Sequence, residues 1–360
     1  MKRNILSSSM LLASAAFGAS LPAPLIAQDG QSLQLEEIVV TARRREERLQ
    51  DVPVSMTVLS QQQLQDANIV NAADIATYTP SLQANNRFGA DNTNFAIRGF
   101  SQELRSTASV GVYFAEVVAP RGANTTQSGD GAGPGDFFDL ESVQVLKGPQ
   151  GTLFGRNTTG GAVLLTPKRP TDELEGYVEG SAGNYDMGRF QGVLNVPVTD
   201  SFRARVGADY QQRDGYMNNI SDIGPSRFAN LDYVSLRASA VWDVTDSIEN
   251  YSLLKYTDSS NVAPPFSLLD CNPAALPFGA LCQGDLNRRI SNGQLGEYDV
   301  YNFLPNPKSE SEQWQAINTT TWHVNDDLQV MNIESYAAFR QAQNAAIFGE
   351  NITFAGLPFG

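Results

Sequence analysis

The sequence is short of the residues that build metal and catalytic centres. Its 360 residues contain one histidine, His323, and two cysteines, Cys271 and Cys282. Zinc and iron sites usually need more nitrogen and sulfur ligands, so no metal site is predicted. The sequence also has no nucleophile motif and no dense cluster of carboxylates, and we therefore predict neither an enzyme nor a cofactor.

Basic residues are scarce as well. There are 25 Lys and Arg residues against 39 Asp and Glu residues, and the formal net charge is −14. A phosphate backbone would be repelled by this field, so no nucleic-acid partner is expected.

Long apolar runs are missing beyond the N-terminus. Residues 1–27 begin with basic residues, continue with an apolar stretch at 5–17 and end on small residues at Ala27, which is the pattern of a secretory signal. Cleavage is expected after Ala27, with Ala19 as the alternative. A membrane anchor is the other interpretation, but the apolar stretch is shorter than the ~20 residues that span a bilayer. The chain is therefore expected to leave the cytoplasm.

The cysteine pair in CNPAALPFGALC predicts a disulfide. In an oxidising compartment, Cys271 and Cys282 are close enough in sequence to close a small loop, and no histidine lies nearby. Two free thiols are the alternative.

An extended segment follows the predicted signal, within residues 28–51. Residues 38–41 are all β-branched and favour a strand, and a dense run of charges at 43–48 follows them. The charged run is not expected to be buried. An apolar strand beside a charged tether is suited to pair with the sheet edge of another protein. An ordinary edge strand of the next domain is the alternative.

Residues 52–170 predict a small α+β domain. Ser60 is expected to cap a helix that runs to Gln65, and Asn71 to cap a second helix that Pro80 ends. Apolar strands then alternate with glycine-rich turns in FAIRGF, VGVYFAEVVAP and ESVQVLKGP. The domain is large enough to have a core of its own.

A glycine-rich segment from Arg121 to Asp136 predicts a flexible loop. Asp130, Asp136 and the nearby Asp139 are an alternative Ca²⁺ site, but their spacing does not match an EF-hand loop. We therefore favour the loop.

Residues 171–360 alternate between apolar and polar positions. In SFRARVGADYQ, Val206 and Tyr210 share an apolar face, opposite Arg205 and Asp209. Strands of ~10 residues, joined by short turns on one side and long loops on the other, are typical of an outer-membrane β-barrel. Seven strands are predicted, near residues 175–183, 187–197, 201–213, 231–244, 248–258, 312–324 and 328–343.

The connections between these strands alternate in length. Short turns are predicted at 198–201, 244–247 and 324–327, and long polar loops at 214–229 and 259–311. A soluble β-sandwich is the alternative, but a loop of about fifty residues is uncommon there. Seven strands leave open edges, so a closed barrel needs more strands than are predicted here.

Several segments resemble the TonB-dependent receptors, which import scarce nutrients across the bacterial outer membrane. FAIRGF, FFDLESVQVLKGPQGTLFGRNTTGGAV and LLTPKRP resemble the most recognisable stretches of their plug domain. EEIVVTA resembles the TonB box, which is here Glu37, Ile38, Val39, Val40, Thr41 and Ala42.

The resemblance implies a fold and a domain order. After the signal it implies a periplasmic segment with the TonB box at 28–51, an α+β plug domain at 52–170 and an antiparallel transmembrane β-barrel from 171 to 360. The family barrel has about 22 strands. About seven of them are expected here, so the chain is expected to be a fragment or the product of a truncated gene.

The resemblance also assigns roles within the plug. Arg98 and Lys147 are expected to pair with acidic residues of the barrel wall. The family more often has Arg at the second position, so Lys147 would make a single contact there instead of a bidentate one. The pair Ala115-Glu116 is a second departure, since an acidic residue directly after the aromatic is usual. Tight turns are expected at Gly99, Gly148, Gly151, Gly155, Gly160 and Gly161. A phosphate-cradling loop is the competing interpretation, but its glycine spacings are not present.

The function implied by the resemblance is energy-coupled uptake. The expected partners are a TonB-type periplasmic transducer, outer-membrane lipid and a small-molecule ligand, with a monomeric barrel in the cell outer membrane. Ferric siderophores are the commonest cargo, and vitamin B12, haem, oligosaccharides and plant-derived aromatics stay open. Arg105 and Arg121 are candidate contacts to an anionic chelate, with solvated surface positions as the alternative. A ligand-binding receptor without transport and an inert truncated fragment are the other functional hypotheses.

Overall fold

The structure is a computed structural model. It describes residues 39–41, 43–45, 47–86, 88–102, 106–121, 131–262, 265, 270–272, 274, 278–291, 293, 296–345, 353–354 and 357–358. All of these residues belong to one compact unit that begins at Val39. The predicted signal at 1–27 lies outside them. None of the helices in this described part has the length and apolar composition that a membrane crossing requires.

The strands before residue 170 belong to the segment that precedes the plug and to the plug itself. They are β1 (Val39–Val40), β2 (Glu47–Arg48), β3 (Met56–Ser60), β4 (Leu82–Asn85), β5 (Asn94–Ile97), β6 (Val110–Phe114), β7 (Val117–Val118), β8 (Leu140–Lys147) and β9 (Gly161–Pro167). Short 3-10 turns lie at Leu49–Asp51 and Ala90–Asn92. Five strands form the plug sheet in the order β3-β8-β9-β6-β7, in which β6 and β9 run parallel.

Two helices of the plug begin at the predicted caps. The Ser60 hydroxyl accepts a hydrogen bond from the Gln63 backbone at the start of α1 (Gln61–Asp66), and the Gln63 side chain accepts one from the Ser60 backbone. Asn71 caps α2 (Ala72–Tyr78) in the same reciprocal way. This capping box satisfies backbone donors that a helix start leaves free. A third helix, α3 (Gly151–Phe154), lies between β8 and β9.

Both faces of the plug sheet are covered. On one face, Val143, Val145 and Val163 pack with α1, α2 and the β4–β5 hairpin. On the other face, Leu146 and Leu164 belong to a smaller cluster that includes Val40 and Val52. Because β9 is buried on both sides, its sequence is apolar at nearly every position, whereas the sequence of β8 also contains Glu141, Gln144 and Lys147.

A single antiparallel sheet, here called the wall, follows the plug. The later strands are β10 (Glu175–Gly183), β11 (Met187–Thr199), β12 (Phe202–Arg213), β13 (Met217–Asn219), β14 (Arg227–Phe228), β15 (Leu231–Thr245), β16 (Ile248–Asn261), β17 (Asp299–Val300), β18 (Lys308–Asn325), β19 (Leu328–Asn344), β20 (Thr353–Phe354) and β21 (Leu357–Pro358). The wall has the order β10-β11-β12-β15-β16-β18-β19. The seven predicted strands are therefore confirmed, and the largest difference is at β18, which begins at Lys308 rather than at residue 312.

The wall buries its polar face and exposes its apolar face. Val206 is 50% exposed and Tyr210 is 44% exposed, whereas Arg205 and Asp209 on the opposite face are 4% and 0% exposed. A sheet in water has the reverse distribution. An apolar face turned outward is stable only against a non-aqueous surrounding, as in a membrane-spanning sheet.

The long connections of the wall contain more structure than the sequence predicted. Strands β13, β14 and β17 form a small sheet over a core of Met217, Phe228 and Val300. Helix α4 (Phe278–Ser291) lies inside the stretch 259–311 that was predicted as a long polar loop, so that prediction is wrong for these residues. Cys271 and Cys282 form a disulfide at the start of this helix, with a Cα–Cα distance of 5.8 Å.

Candidate functional site

The plug segment 133–140, here called the docking segment, is bound by buried ion pairs to the wall. Asp139 accepts hydrogen bonds from Arg205 Nε at 2.8 Å and from Arg205 Nη2 at 2.6 Å, and both side chains are almost fully buried. Such a bidentate pair fixes geometry as well as charge. Arg205 Nη1 also donates to Glu175 at 3.1 Å.

A second buried ion pair joins Asp136 of the docking segment to Lys255 of β16. Asp136 also accepts a hydrogen bond from the Gly133 backbone at 3.0 Å. The carboxylates of Asp136 and Asp139 are therefore occupied by wall cations rather than arranged around a Ca²⁺ ion. Asp130 and most of the predicted flexible loop lie outside the described residues. Within the described residues, no group of acidic, His or Cys side chains is arranged to hold a metal ion.

Arg237 of β15 completes the contact by stacking and hydrogen bonding. Its guanidinium carbon lies 4.3 Å from the ring centroid of Phe138 and 4.8 Å from that of Phe114. Its Nη1 donates to the carbonyl of Phe138 at 3.0 Å and to that of Asp139 at 3.2 Å. A desolvated cation over aromatic faces is attracted by the ring quadrupoles, so Arg237 holds both the backbone and the aromatic side chain of the docking segment.

Glycine allows the docking segment to approach the wall. Gly135 has a φ of +75°, and a Cβ atom placed there would lie 2.4 Å from the Cβ of Ser235. Ser235 donates a hydrogen bond to the Gly135 carbonyl at 3.3 Å. Any side chain at residue 135 would therefore push the plug away from β15 and strain the backbone.

A second contact, in which no wall cation takes part, joins the plug to the far ends of the wall strands. The carboxylate of Asp91 accepts hydrogen bonds from Asn261 at 2.7 Å and from Ser311 at 3.1 Å. Neighbouring Asn92 accepts one from Gln341 at 2.8 Å. Burial raises the pKa of Asp91, and these hydrogen bonds oppose that shift only in part.

The predicted TonB-box segment lies against the plug where it is described. β1 pairs antiparallel with β2, and Val40 is 1% exposed within the smaller core cluster. The Thr41 backbone donates to the Gln144 side chain at 3.2 Å, and the Gln144 amide donates back to the Thr41 hydroxyl at 3.3 Å. Glu37, Ile38 and Ala42 lie outside the described residues. Residues 39–41 are hereafter called the coupling segment.

The charged run after the coupling segment is partly bound to the plug. None of its described arginines is buried, as predicted. Arg44, however, donates from Nε to the Leu153 carbonyl at 3.2 Å and lies 5.2 Å from the ring centroid of Phe154. Its Nη1 also lies 3.9 Å from the carboxylate of Glu116. The sequence did not predict this contact.

The basic residues assigned to a plug–wall latch lie side by side. Arg98 donates to the Ser55 hydroxyl at 3.2 Å, and neither Arg98 nor Lys147 has an ion pair within the described ranges. Burial and the neighbouring charge of Arg98 lower the pKa of Lys147. The latch stays a prediction. In the two buried plug–wall pairs the acid is on the plug and the base is on the wall, which is the reverse of the predicted polarity.

The remaining predicted site residues are placed as follows. Arg105 lies outside the described residues, and Arg121 borders a narrow gap between plug and wall together with Asp91 and Thr257. Positive φ angles occur at four of the six predicted turn glycines, namely Gly99, Gly148, Gly155 and Gly161. Gly151 begins α3, and a Cβ at Gly160 would lie 2.8 Å from that of Phe100.

Sequence reasoning missed the residues that bind the docking segment. Arg205 was recognised as a polar-face residue of an alternating strand, but Asp139, which meets it, was considered only as an alternative Ca²⁺ ligand beside the predicted loop. The available signal was the presence of ionisable side chains on the inward face, since charges buried between elements need partners.

A plug bound to the polar face of a sheet whose outer face is apolar is the architecture of a plugged membrane barrel. Residues 48–162 match the family TonB-dependent Receptor Plug Domain. Residues 48–162 are thus a plug domain of the TonB-dependent receptor type, and the antiparallel strands that follow them have the fold of part of such a receptor barrel.

Individual relatives agree with this family. The ferripyoverdine receptor of Pseudomonas aeruginosa is 30% identical over 183 residues, which are 50% of this chain and 21% of that protein. The pesticin receptor of Yersinia pestis is 29% identical over 226 residues, which are 61% of this chain and 32% of that protein. The crystal structure of the ferric yersiniabactin uptake receptor FyuA from Yersinia pestis superimposes with a TM-score of 0.65 at 19% identity, covering 81% of this chain and 41% of that one. The chain thus spans less than half the length of these relatives.

Proposed function

We propose that this chain acts in the energy-coupled uptake of a scarce nutrient across the outer membrane. The observation that carries the proposal is the contrast between two parts of the plug. The docking segment is bound to the wall by buried ion pairs, whereas the coupling segment is held without any ion pair of its own, by a two-residue strand pair, the buried Val40 side chain and partly buried hydrogen bonds of Thr41. A pull on the coupling segment would therefore release it well before the docking segment.

The partner proposed for the coupling segment is a TonB-type periplasmic transducer. Residues 37–42 would add one strand to a sheet edge of that partner, with backbone hydrogen bonds for affinity and alternate side chains for specificity. Val39 and Val40 already have an extended conformation, paired with Glu47 and Arg48. Because this pairing uses backbone groups that strand addition needs, the segment has to leave the plug before the transducer binds it.

The ligand class we propose is a ferric siderophore. The names of the ferripyoverdine and ferric yersiniabactin receptors support this class, and the Arg121 side chain beside the gap between plug and wall is suited to an anionic chelate. Uptake that is driven by a pull on the coupling segment is mechanical and needs no reaction centre, so we propose a transporter rather than an enzyme.

Replacement of Val40 by Pro tests the proposal. Proline removes the backbone donor of residue 40, so Val40→Pro should abolish uptake of iron but leave ligand binding at the cell surface intact. Val40→Ala is the matched control, because it shortens the side chain but keeps the donor, and it should retain uptake. Radioactive iron bound to hydroxamate, catecholate and pyoverdine-type siderophores would measure both uptake at 37 °C and surface binding on ice.

The outcomes of this assay distinguish ligand binding from energy coupling. Loss of surface binding together with uptake in Val40→Pro would contradict the division between ligand site and coupling segment. Surface binding without uptake in the unmodified protein would favour the second hypothesis, a ligand-binding receptor without transport.

A further inference from the structure

A strained two-residue turn joins β6 to β7. Its central residues, Ala115 and Glu116, have φ angles of +46° and +67°. Two-residue hairpin turns of this kind favour Asn-Gly, because residues with a Cβ atom are disfavoured at positive φ. The sequence therefore contains at this turn a residue pair that the backbone alone does not favour, and strain of this kind persists where the side chains have another role.

Glu116 forms an ion pair with Arg44 of the charged run. Its carboxylate faces Arg44 Nη1 at 3.9 Å, and both side chains are about one-third exposed. Burial raises the pKa of Glu116, and the charge of Arg44 opposes that shift. Arg44 itself has a φ of +57°, so strained backbone is present on both sides of the ion pair.

Arg44 is directly connected to the coupling segment. Its backbone N–H donates to the Thr41 carbonyl at 2.8 Å, which closes a turn between the two residues. Its side chain contacts the plug at three points, which are the Leu153 carbonyl, the Phe154 ring and Glu116. Whatever holds the Arg44 side chain therefore also holds Thr41 near its partner Gln144.

We propose that Glu116 is a clasp residue that regulates the coupling segment. By binding Arg44, it keeps the segment on the plug and reduces the fraction of molecules in which residues 39–41 are free for a partner. This inference rests on the proposed function, since it treats the coupling segment as the partner site. It also explains why a strained Ala-Glu pair stands where Asn-Gly would form the turn without strain.

A single reactive cysteine can report the exposure of the segment. Both cysteines of the chain are in the disulfide, so Thr41→Cys introduces one free thiol. The backbone donor of residue 41 to Gln144 stays in place in this background. The rate of maleimide labelling in isolated outer membranes then measures how often the segment leaves the plug.

The expected rates follow from the contacts. Glu116→Gln removes a partly exposed ion pair and should accelerate labelling about two- to fivefold. Arg44→Gln removes the cation–π contact as well and should accelerate it about tenfold. Arg45→Gln is the matched control, because Arg45 pairs with Glu47 in the same charged run, and it should label at the parental rate.

A double variant distinguishes a clasp from a merely structural role. Ala115→Asn combined with Glu116→Gly supplies the favoured turn and should raise the melting temperature of the plug, while labelling still becomes faster. The charge swap Arg44→Glu with Glu116→Arg should slow labelling again relative to either single change. Labelling of Glu116→Gln at the parental rate would overturn the proposal. Because labelling needs neither ligand nor transducer, its result is independent of the uptake test.

Discussion

Replacing Asp139 by Asn should loosen the docking segment from the wall. The change removes the negative partner of Arg205 in a pair whose side chains are 3% and 4% exposed. Breaking a buried ion pair by removing one partner costs about 3–5 kcal/mol, because the other charge is left without compensation. Glu175 lies 3.1 Å from Arg205 Nη1 and keeps part of that compensation, so we expect a value near the lower end.

Amide hydrogen exchange read by mass spectrometry is suited to this change. A loss of about 3 kcal/mol corresponds to roughly a hundredfold faster exchange, at about 1.4 kcal/mol per factor of ten. The effect should be confined to peptides that cover residues 131–147. Glu249→Gln is the matched control, because it removes a plug–wall pair with Arg169 whose side chains are 33% and 45% exposed. Exposed pairs of this kind contribute only about 0–1 kcal/mol.

Two results would refute the reasoning. Exchange in Asp139→Asn that is no faster than in Glu249→Gln would mean that the buried pair does not hold the docking segment. The double change Asp139→Leu with Arg205→Met should be much closer to the original protein than Asp139→Asn, since an apolar pair leaves no buried charge. Equal loss in both variants would assign the effect to shape rather than to charge.

Two further predictions concern other parts of the chain. Since the pKa of Asp91 is raised in the folded state, its contribution to stability is present below its unfolded pKa and is lost as pH rises through the folded pKa. The melting temperature of the original protein should therefore fall more steeply than that of Asp91→Asn as pH rises above about 4, the pKa of an unperturbed aspartate, and parallel curves for the two proteins would contradict this assignment. Replacing Cys271 and Cys282 by Ser opens a loop with a sequence separation of 11. The change should destabilise α4 by about 2–3 kcal/mol in hydrogen exchange, without effect on the strands of the wall, and unchanged exchange in α4 would count against a stabilising role.

The elements that follow from local chemistry were predictable from the sequence. Ser60 and Asn71 cap helices because their side chains meet backbone donors a few residues away, which needs no tertiary information. The wall strands were predictable because alternation with a period of two identifies strands and their faces. The three short turns between them were recognised for the same reason, since turn residues interrupt that alternation.

Sequence periodicity did not decide which residues meet across the plug–wall contact. Asp136 and Lys255 are 119 residues apart, and Asp139 and Arg205 are 66 apart, so their pairing depends on where the plug lies relative to β12 and β16. The helix α4 was missed because its sequence has no pronounced apolar stripe and stands in a stretch that reads as a polar loop.

The sequence by itself determined the order of the plug and wall elements and the two faces of β12, because each depends on residues near one another in the chain. The export signal stays a prediction from the sequence. Only the tertiary structure decided that the polar face of the wall is the buried one where it meets the plug, and that acids of the plug meet bases of the wall. It also decided that Arg44 reaches Glu116. The physical reason is that buried charge is stable only with a partner, and the identity of that partner depends on positions that are far apart in sequence.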